Sequence, residues 1–70
     1  MDIQIGFGRS IRKIREQKHL SQEAVAELAG IHATFLGRIE RGVQNVSLKT
    51  IQKIAKALKT TPEKLFKGVR

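Results

Sequence analysis

The sequence predicts an all-α fold, five short helices around one small core. Three observations predict it. Apolar residues recur three and four positions apart in successive segments, the period of a helix face. No segment carries the alternating pattern of a half-buried strand. Helix start and stop signals, such as Ser21, Ser47 and Thr61 before a segment and Gly30 and Gly42 after one, frame the periodic stretches.

Ile3, Phe7, Ile11 and Ile14 define the first helix, capped by Asp2 and ending near Gln17. Gly6 and Gly8 weaken its beginning, each by about 1 kcal/mol relative to alanine. Arg9, Arg12, Lys13 and Arg15 fall on its outer face or flanks. Ser21 caps the second helix, with Gln22 and Glu23 in the first turn. It is not a capping box, because Ala24 stands where the reciprocal Glu or Gln would be. Val25 and Leu28 form the apolar side of this helix, and Ala24, Ala26 and Ala29 keep it slim.

Gly30 then falls inside a stretch that otherwise suits a helix. Read as a left-handed stop, it makes a corner between two short helices at a steep angle, with the pair spanning about 21–40. The alternative is one kinked helix, since a helix tolerates an internal glycine. The third helix starts with His32 in the N-cap region, buries Leu36 and Ile39 with Phe35 beside them, and stops near Arg41 and Gly42. Val43 to Val46 is a loop. Ser47 caps a fourth helix with Leu48, Ile51, Ile54, Ala55 and Leu58 inside and Lys49, Lys53 and Lys56 along an outer side. Thr61-Pro62-Glu63 opens a last short helix carrying Leu65 and Phe66.

Seventy residues make one domain, 1–70, and a chain this short buries only about 60% of its unfolded surface. Cysteine is absent, so neither disulfides nor thiolate metal sites are available. His19 and His32 are too few and too far apart for a zinc site, and no metal or other cofactor is expected. A subunit partner is the remaining help for a small core. Fourteen Lys and Arg against six Asp and Glu leave a formal charge of +8, which draws a domain toward polyanions or serves as a solvated basic surface. No apolar run nears the ~20 residues of a membrane span, and the start lacks the pattern of a signal peptide. A cytoplasmic protein is expected. Paired carboxylates, a cysteine nucleophile and a phosphate-cradling loop are all missing, so an enzyme is not expected; nor is a small-molecule ligand.

Ser21-Gln22-Glu23, Ala29-Gly30-Ile31 and Ile39-Glu40-Arg41-Gly42, in this order and spacing, resemble the helix-turn-helix of the phage repressor/Cro-like (XRE) family. The likeness covers nearly the whole chain, "IRKIREQKHLSQEAVAELAGIHATFLGRIERG" and then "NVSLKTIQKIAKALKTTPEKLF". It implies a compact five-helix lambda-repressor-like DNA-binding domain whose third helix enters the major groove. A narrower likeness, carried by His32-Ala33-Thr34-Phe35 and Asn45-Val46-Ser47-Leu48, is to the controller proteins of restriction–modification systems, which are small dimers. Many controllers have Arg where this chain has Ala33 and Tyr where it has Phe35. A controller's DNA target therefore does not carry over.

On the third helix, Ala33, Thr34, Gly37 and Arg38 are the outward, base-reading candidates. Arg38 suits guanine O6 and N7, or else a phosphate. Thr34 and Ala33 suit thymine methyl groups. Gly37 either lets the backbone sit close to the groove or merely weakens the helix. Phosphate-binding candidates are Gln22, His32, Arg41, Asn45, Ser47, Lys49 and Thr50; those at helix starts lie where free amides favour anions. The resemblance also implies an internal ion pair of Arg15 with Glu40. Leu58, Leu65, Phe66 and Val69 are more apolar surface than a last short helix needs; they are candidates for the two-fold dimer contact of this family, with Leu65, Phe66 and Val69 as its residues, while the alternative is closure of the monomer core, which would claim Leu58 and Leu65. A homodimer would demand an inverted-repeat operator in double-stranded DNA, with half-sites about 34–36 Å apart. The leading function is thus a sequence-specific transcription regulator, a repressor or an activator. An antitoxin-type protein that masks a partner is the alternative, disfavoured by a chain ending at Arg70. A membrane-active basic helix protein needs a lipid-facing apolar stripe, whereas these stripes fit an internal core.

Overall fold

Free amides at the start of a helix need acceptors, and four of the five helices supply one from the preceding side chain. The computed structural model describes residues 2–67. Helix α1 runs Ile3–Gln17, where the Asp2 carboxylate accepts from the amides of Gln4 at 2.7 Å and Ile5 at 3.3 Å. Helix α2 runs Gln22–Ala29, and Ser21 Oγ accepts from the Ala24 amide at 3.0 Å. Helix α4 runs Leu48–Ala57 behind Ser47, and α5 runs Pro62–Phe66 behind Thr61. Helix α3, Ala33–Glu40, is the exception: His32 holds the N-cap position without a side-chain bond. No strand occurs among the described residues.

The helix ends repeat one device. After α2, Gly30 takes φ 71°, its amide donates to Glu27 O at 3.2 Å, and the Ile31 amide donates to Ala26 O at 2.9 Å. This is the paired arrangement of a Schellman motif. Gly42 (φ 77°) closes α3 in the same way, with Val43 N donating to Arg38 O at 3.1 Å. Two ends do so without glycine. His19 (φ 57°) closes α1 and Lys59 (φ 55°) closes α4, each followed by the same backward bond.

The core is filled by Phe7 and Ile11, Val25, Ala26 and Ala29, Leu36 and Ile39, Ile51, Ile54 and Leu58, and Leu65. Helix α1 packs on α3 and α5, and α2 packs on α3 and α4. Three expected core residues are outside. Leu28 is 64% exposed because α2 turns Val25, Ala26 and Ala29 inward and carries Leu28 on another side. Ile3 is 61% and Leu48 82% exposed. Both keep the correct helical register but lie in the first turn of their helices, one turn beyond the edge of the core.

Gly8 shows why α1 carries a glycine in mid-helix. A Cβ there would stand 2.2 Å from the Ile39 carbonyl oxygen and 2.7 Å from that of Glu40. The glycine is the surface on which α1 crosses the last turn of α3.

Candidate nucleic-acid interface

The left-handed residue at Gly30 separates α2 from α3, and the three residues Gly30, Ile31 and His32 make the corner. A Cβ at Gly30 would meet nothing within 4 Å, so the glycine answers to its backbone angle and not to crowding. The corner turns one face of α3 inward: Leu36 and Ile39 are essentially inaccessible. The opposite face carries Thr34 and Arg38, both exposed and four residues apart.

Two members of the expected outward set are placed differently. Gly37 is buried, since the side chains of Arg41 and Gln22 lie over it. A Cβ there would be 3.4 Å from Arg41 Nη1 and 3.6 Å from Gln22 Oε1. Ala33 is half-buried against the core edge. Neither is an open surface residue: Gln22 at the start of α2 and Arg41 cover Gly37, and the core edge covers Ala33.

One carboxylate ties three elements together. Glu40 Oε2 accepts from Arg15 Nε at 2.7 Å and Glu40 Oε1 from Arg15 Nη2 at 3.0 Å, a two-pronged pair between α1 and α3. Arg15 Nη1 also donates to Leu20 O at 2.8 Å, which fixes the loop before α2. Gln22 Nε2 donates to Glu40 Oε1 at 3.0 Å. The pair is buried, with 12% and 3% side-chain exposure for Arg15 and Glu40. Hydrogen bonding to Glu40 raises the Arg15 pKa above its ordinary value, and nearby negative charge adds to this against the opposing effect of burial. The cluster aims α3, and it occupies an N–H of Gln22 that the phosphate assignment would have used.

The start of α4 forms the other edge. Ser47 Oγ accepts from the Thr50 amide at 3.1 Å and donates to Thr50 Oγ1 at 3.0 Å. One of the two hydroxyl protons is spent between them, and the pair has one left to donate outward. Asn45, exposed, accepts from Gln4 of α1 through Oδ1. Lys49, Arg41 and His32 are exposed. The Gln4–Asn45 and Gln22–Glu40 contacts carry no sequence signal, because each joins residues distant along the chain. Gly8 does carry one: a glycine inside a helix has no local reason to be there.

The expected dimer residues need one correction. Leu65 is 0% exposed, filling the core beneath α5, and so presents no surface to a partner. Phe66 is half-buried, its ring stacked on Phe7 at 4.7 Å between centroids. Val69 lies outside the described residues.

A helix-turn-helix family profile matches residues 11–65. The chain belongs to the helix-turn-helix family, and with it to the DNA-binding regulators rather than to the enzymes. Within that class it is similar to restriction–modification controllers. It is 43% identical over 66 residues to the control protein C.SmaI of Serratia marcescens, covering 94% of this chain and 79% of that one. It is 45% identical over 66 residues to the control protein C.BamHI of Bacillus amyloliquefaciens, covering 93% and 82%. The crystal structure of the restriction–modification controller protein C.AhdI from Aeromonas hydrophila superposes with a TM-score of 0.88 at 44% identity, over 90% of this chain and 96% of that one. Among the described residues, no helix is long and apolar enough to cross a membrane.

Proposed function

We propose that this chain is a cytoplasmic, sequence-specific transcription regulator that binds an inverted-repeat operator as a homodimer and serves as the controller of a restriction–modification system. Residues 1–70 act as a single binding unit in this reading. The observation that carries it is the presentation of α3: one face is locked into the core, Glu40 is pinned to α1 and α2, and Thr34 and Arg38 are left exposed. A helix held this firmly can offer the same side chains to base edges at every encounter, which direct readout requires. The exposed Lys49 and Arg41, with Thr50 and Asn45 at the edge of α4, supply phosphate contacts that fix register without reading sequence. The net charge of +8 supplies the salt-dependent attraction to duplex DNA. Similarity to control proteins of comparable length supports the controller assignment.

Selection of binding sites from random duplex DNA, followed by sedimentation of the free and bound protein, tests the reading. An inverted repeat bound by two copies is expected. On that site Arg38→Ala should cost about 1–3 kcal/mol and relax one base position, while Lys49→Ala should weaken all duplexes alike and flatten the salt dependence by about one charge. Equal losses from Arg38→Ala on selected and random DNA would remove its base-reading role.

A further inference from the structure

A second basic surface lies away from α3. Helices α1 and α5 enclose an open groove of about 470 Å³. Gly6, Ser10 and Ile14, buried or half-buried, make its floor. Its rim carries Arg9 and Lys13 from α1, with Lys64 and Lys67 from α5 and its C-cap, all exposed. We propose that this groove is a docking site for an extended acidic segment of another protein. The inference goes beyond the DNA-binding function proposed above, and its test reads out without it.

Three observations carry it. The first is unrelieved like charge. Arg9 and Lys13 stand four residues apart and Lys64 and Lys67 three apart, spacings that hold like charges side by side on a helix and disfavour it. No carboxylate lines the groove, and none of these cations is in an ion pair among the described residues. Glu16 is taken by Arg12 and Glu40 by Arg15, while Glu63, four residues before Lys67, makes no ion pair with it. An acidic chain laid in the groove would neutralise both pairs at once. The second observation is placement. Gly8 and Arg15 mark the side of α1 that meets α3. Lys13 stands about 160° round the helix from Arg15. The body of α1 therefore separates the groove from the recognition helix, and a duplex lying on Thr34 and Arg38 does not cover it. The third observation is shape. From Gly6 to Gln17 the groove runs about 16 Å along α1, the length of about five residues of extended chain. Packed helix axes lie about 8–10 Å apart, too narrow a gap to seat a DNA duplex, whose major groove alone is about 12 Å wide. A nucleic-acid single strand seeks aromatic faces on which to stack, and no aromatic side chain lines the groove. The apolar floor at Ile14 suits an aliphatic side chain between carboxylates.

The probe is a fluorescein-labelled peptide, Glu-Glu-Leu-Glu-Glu, titrated with the full chain and read by fluorescence anisotropy. Salt is held at about 0.15 M, where exposed charges more than about 8 Å apart are largely screened. Arg9→Gln combined with Lys13→Gln strips charge from the rim. Lys53→Gln combined with Lys56→Gln strips the same charge from the outer side of α4. All these residues are exposed, so both double variants should melt no lower than wild type. The rim variant is expected to bind the peptide about 10-fold more weakly, and the α4 variant within about twofold of wild type. Saturating duplex DNA should leave the peptide bound. Equal losses in the two variants would overturn the proposal, since net charge alone would then explain the attraction. So would a wild-type protein that does not bind the peptide. Displacement of the peptide by duplex DNA would put it on the DNA-reading face and overturn the proposal too. Oligothymidine binding that falls in the rim variant, with peptide binding unchanged, would assign the groove to nucleic acid instead.

Discussion

Replacing Gly8 with alanine sets two effects of opposite sign against each other. Judged by helix propensity alone, the change stabilises α1 by about 1 kcal/mol. The packing opposes it. The new Cβ would lie 2.2 Å from the Ile39 carbonyl oxygen, well short of the 3.4 Å at which ordinary contact begins, so α1 and α3 would have to separate by about 1.2 Å. The obstructing atoms are backbone and cannot rotate away. The Ile39 carbonyl also accepts from the Gly42 amide at 3.0 Å, so its movement disturbs the end of α3. The same separation pulls on the Arg15–Glu40 pair, whose 2.7 Å contact joins these two helices. Overpacking of this kind costs about 1–3 kcal/mol before any loss from the ion pair. With a rigid obstruction and a coupled pair, the upper part of that range applies, and the net destabilisation is about 2 kcal/mol after the propensity gain. For a domain of this size that lowers Tm by about 8–16 °C. Thermal melting and urea denaturation of the two proteins measure it. A Gly8→Ala protein as stable as wild type, or more so, would refute the argument that α1 crosses α3 on this glycine.

Glu40→Ala should cost about 3–5 kcal/mol by urea denaturation, because it strands the buried Arg15 guanidinium and removes the acceptor of Gln22. Since the pair raises the Arg15 pKa, its contribution is fully present below the arginine value of the unfolded chain and is lost only as pH rises through the higher folded value. The difference from wild type should therefore persist throughout the neutral and moderately alkaline range; a difference that vanished just above neutrality would contradict this. His19→Gly and Lys59→Gly should each raise stability by about 0.5–1 kcal/mol, because both native residues hold left-handed angles that glycine adopts freely, part of the gain being offset by a more flexible unfolded chain. A loss of Tm in either variant counts against that account. Leu48→Gln should leave folding stability within about 0.5 kcal/mol, as expected for a side chain 82% exposed; a loss of 2 kcal/mol or more would mean that the residue is buried.

Most of the fold was legible because its signals are local. Ser21, Ser47 and Thr61 cap helices wherever they stand before a periodic segment, since each needs only the amides of the next turn. Gly30 and Gly42 announce turns because the left-handed angle is a property of one residue. His19 and Lys59 close helices in the same geometry without that announcement; there the surrounding backbone bonds impose an angle the residue itself does not favour. The site divides in the same way. Thr34 and Arg38 follow from helical spacing once Leu36 and Ile39 are taken as the inner face.

The sequence alone therefore determined which segments are helices, where they turn and which stripe of each is apolar. Tertiary structure decided how far each stripe is covered. It left Leu28, Leu48 and Ile3 in solvent, took Leu65 wholly inside, laid Gln22 and Arg41 over Gly37, and made Gly8 a point of contact. The reason is physical: hydrogen bonds of caps and turns close within a few residues, whereas burial depends on where a second helix happens to end.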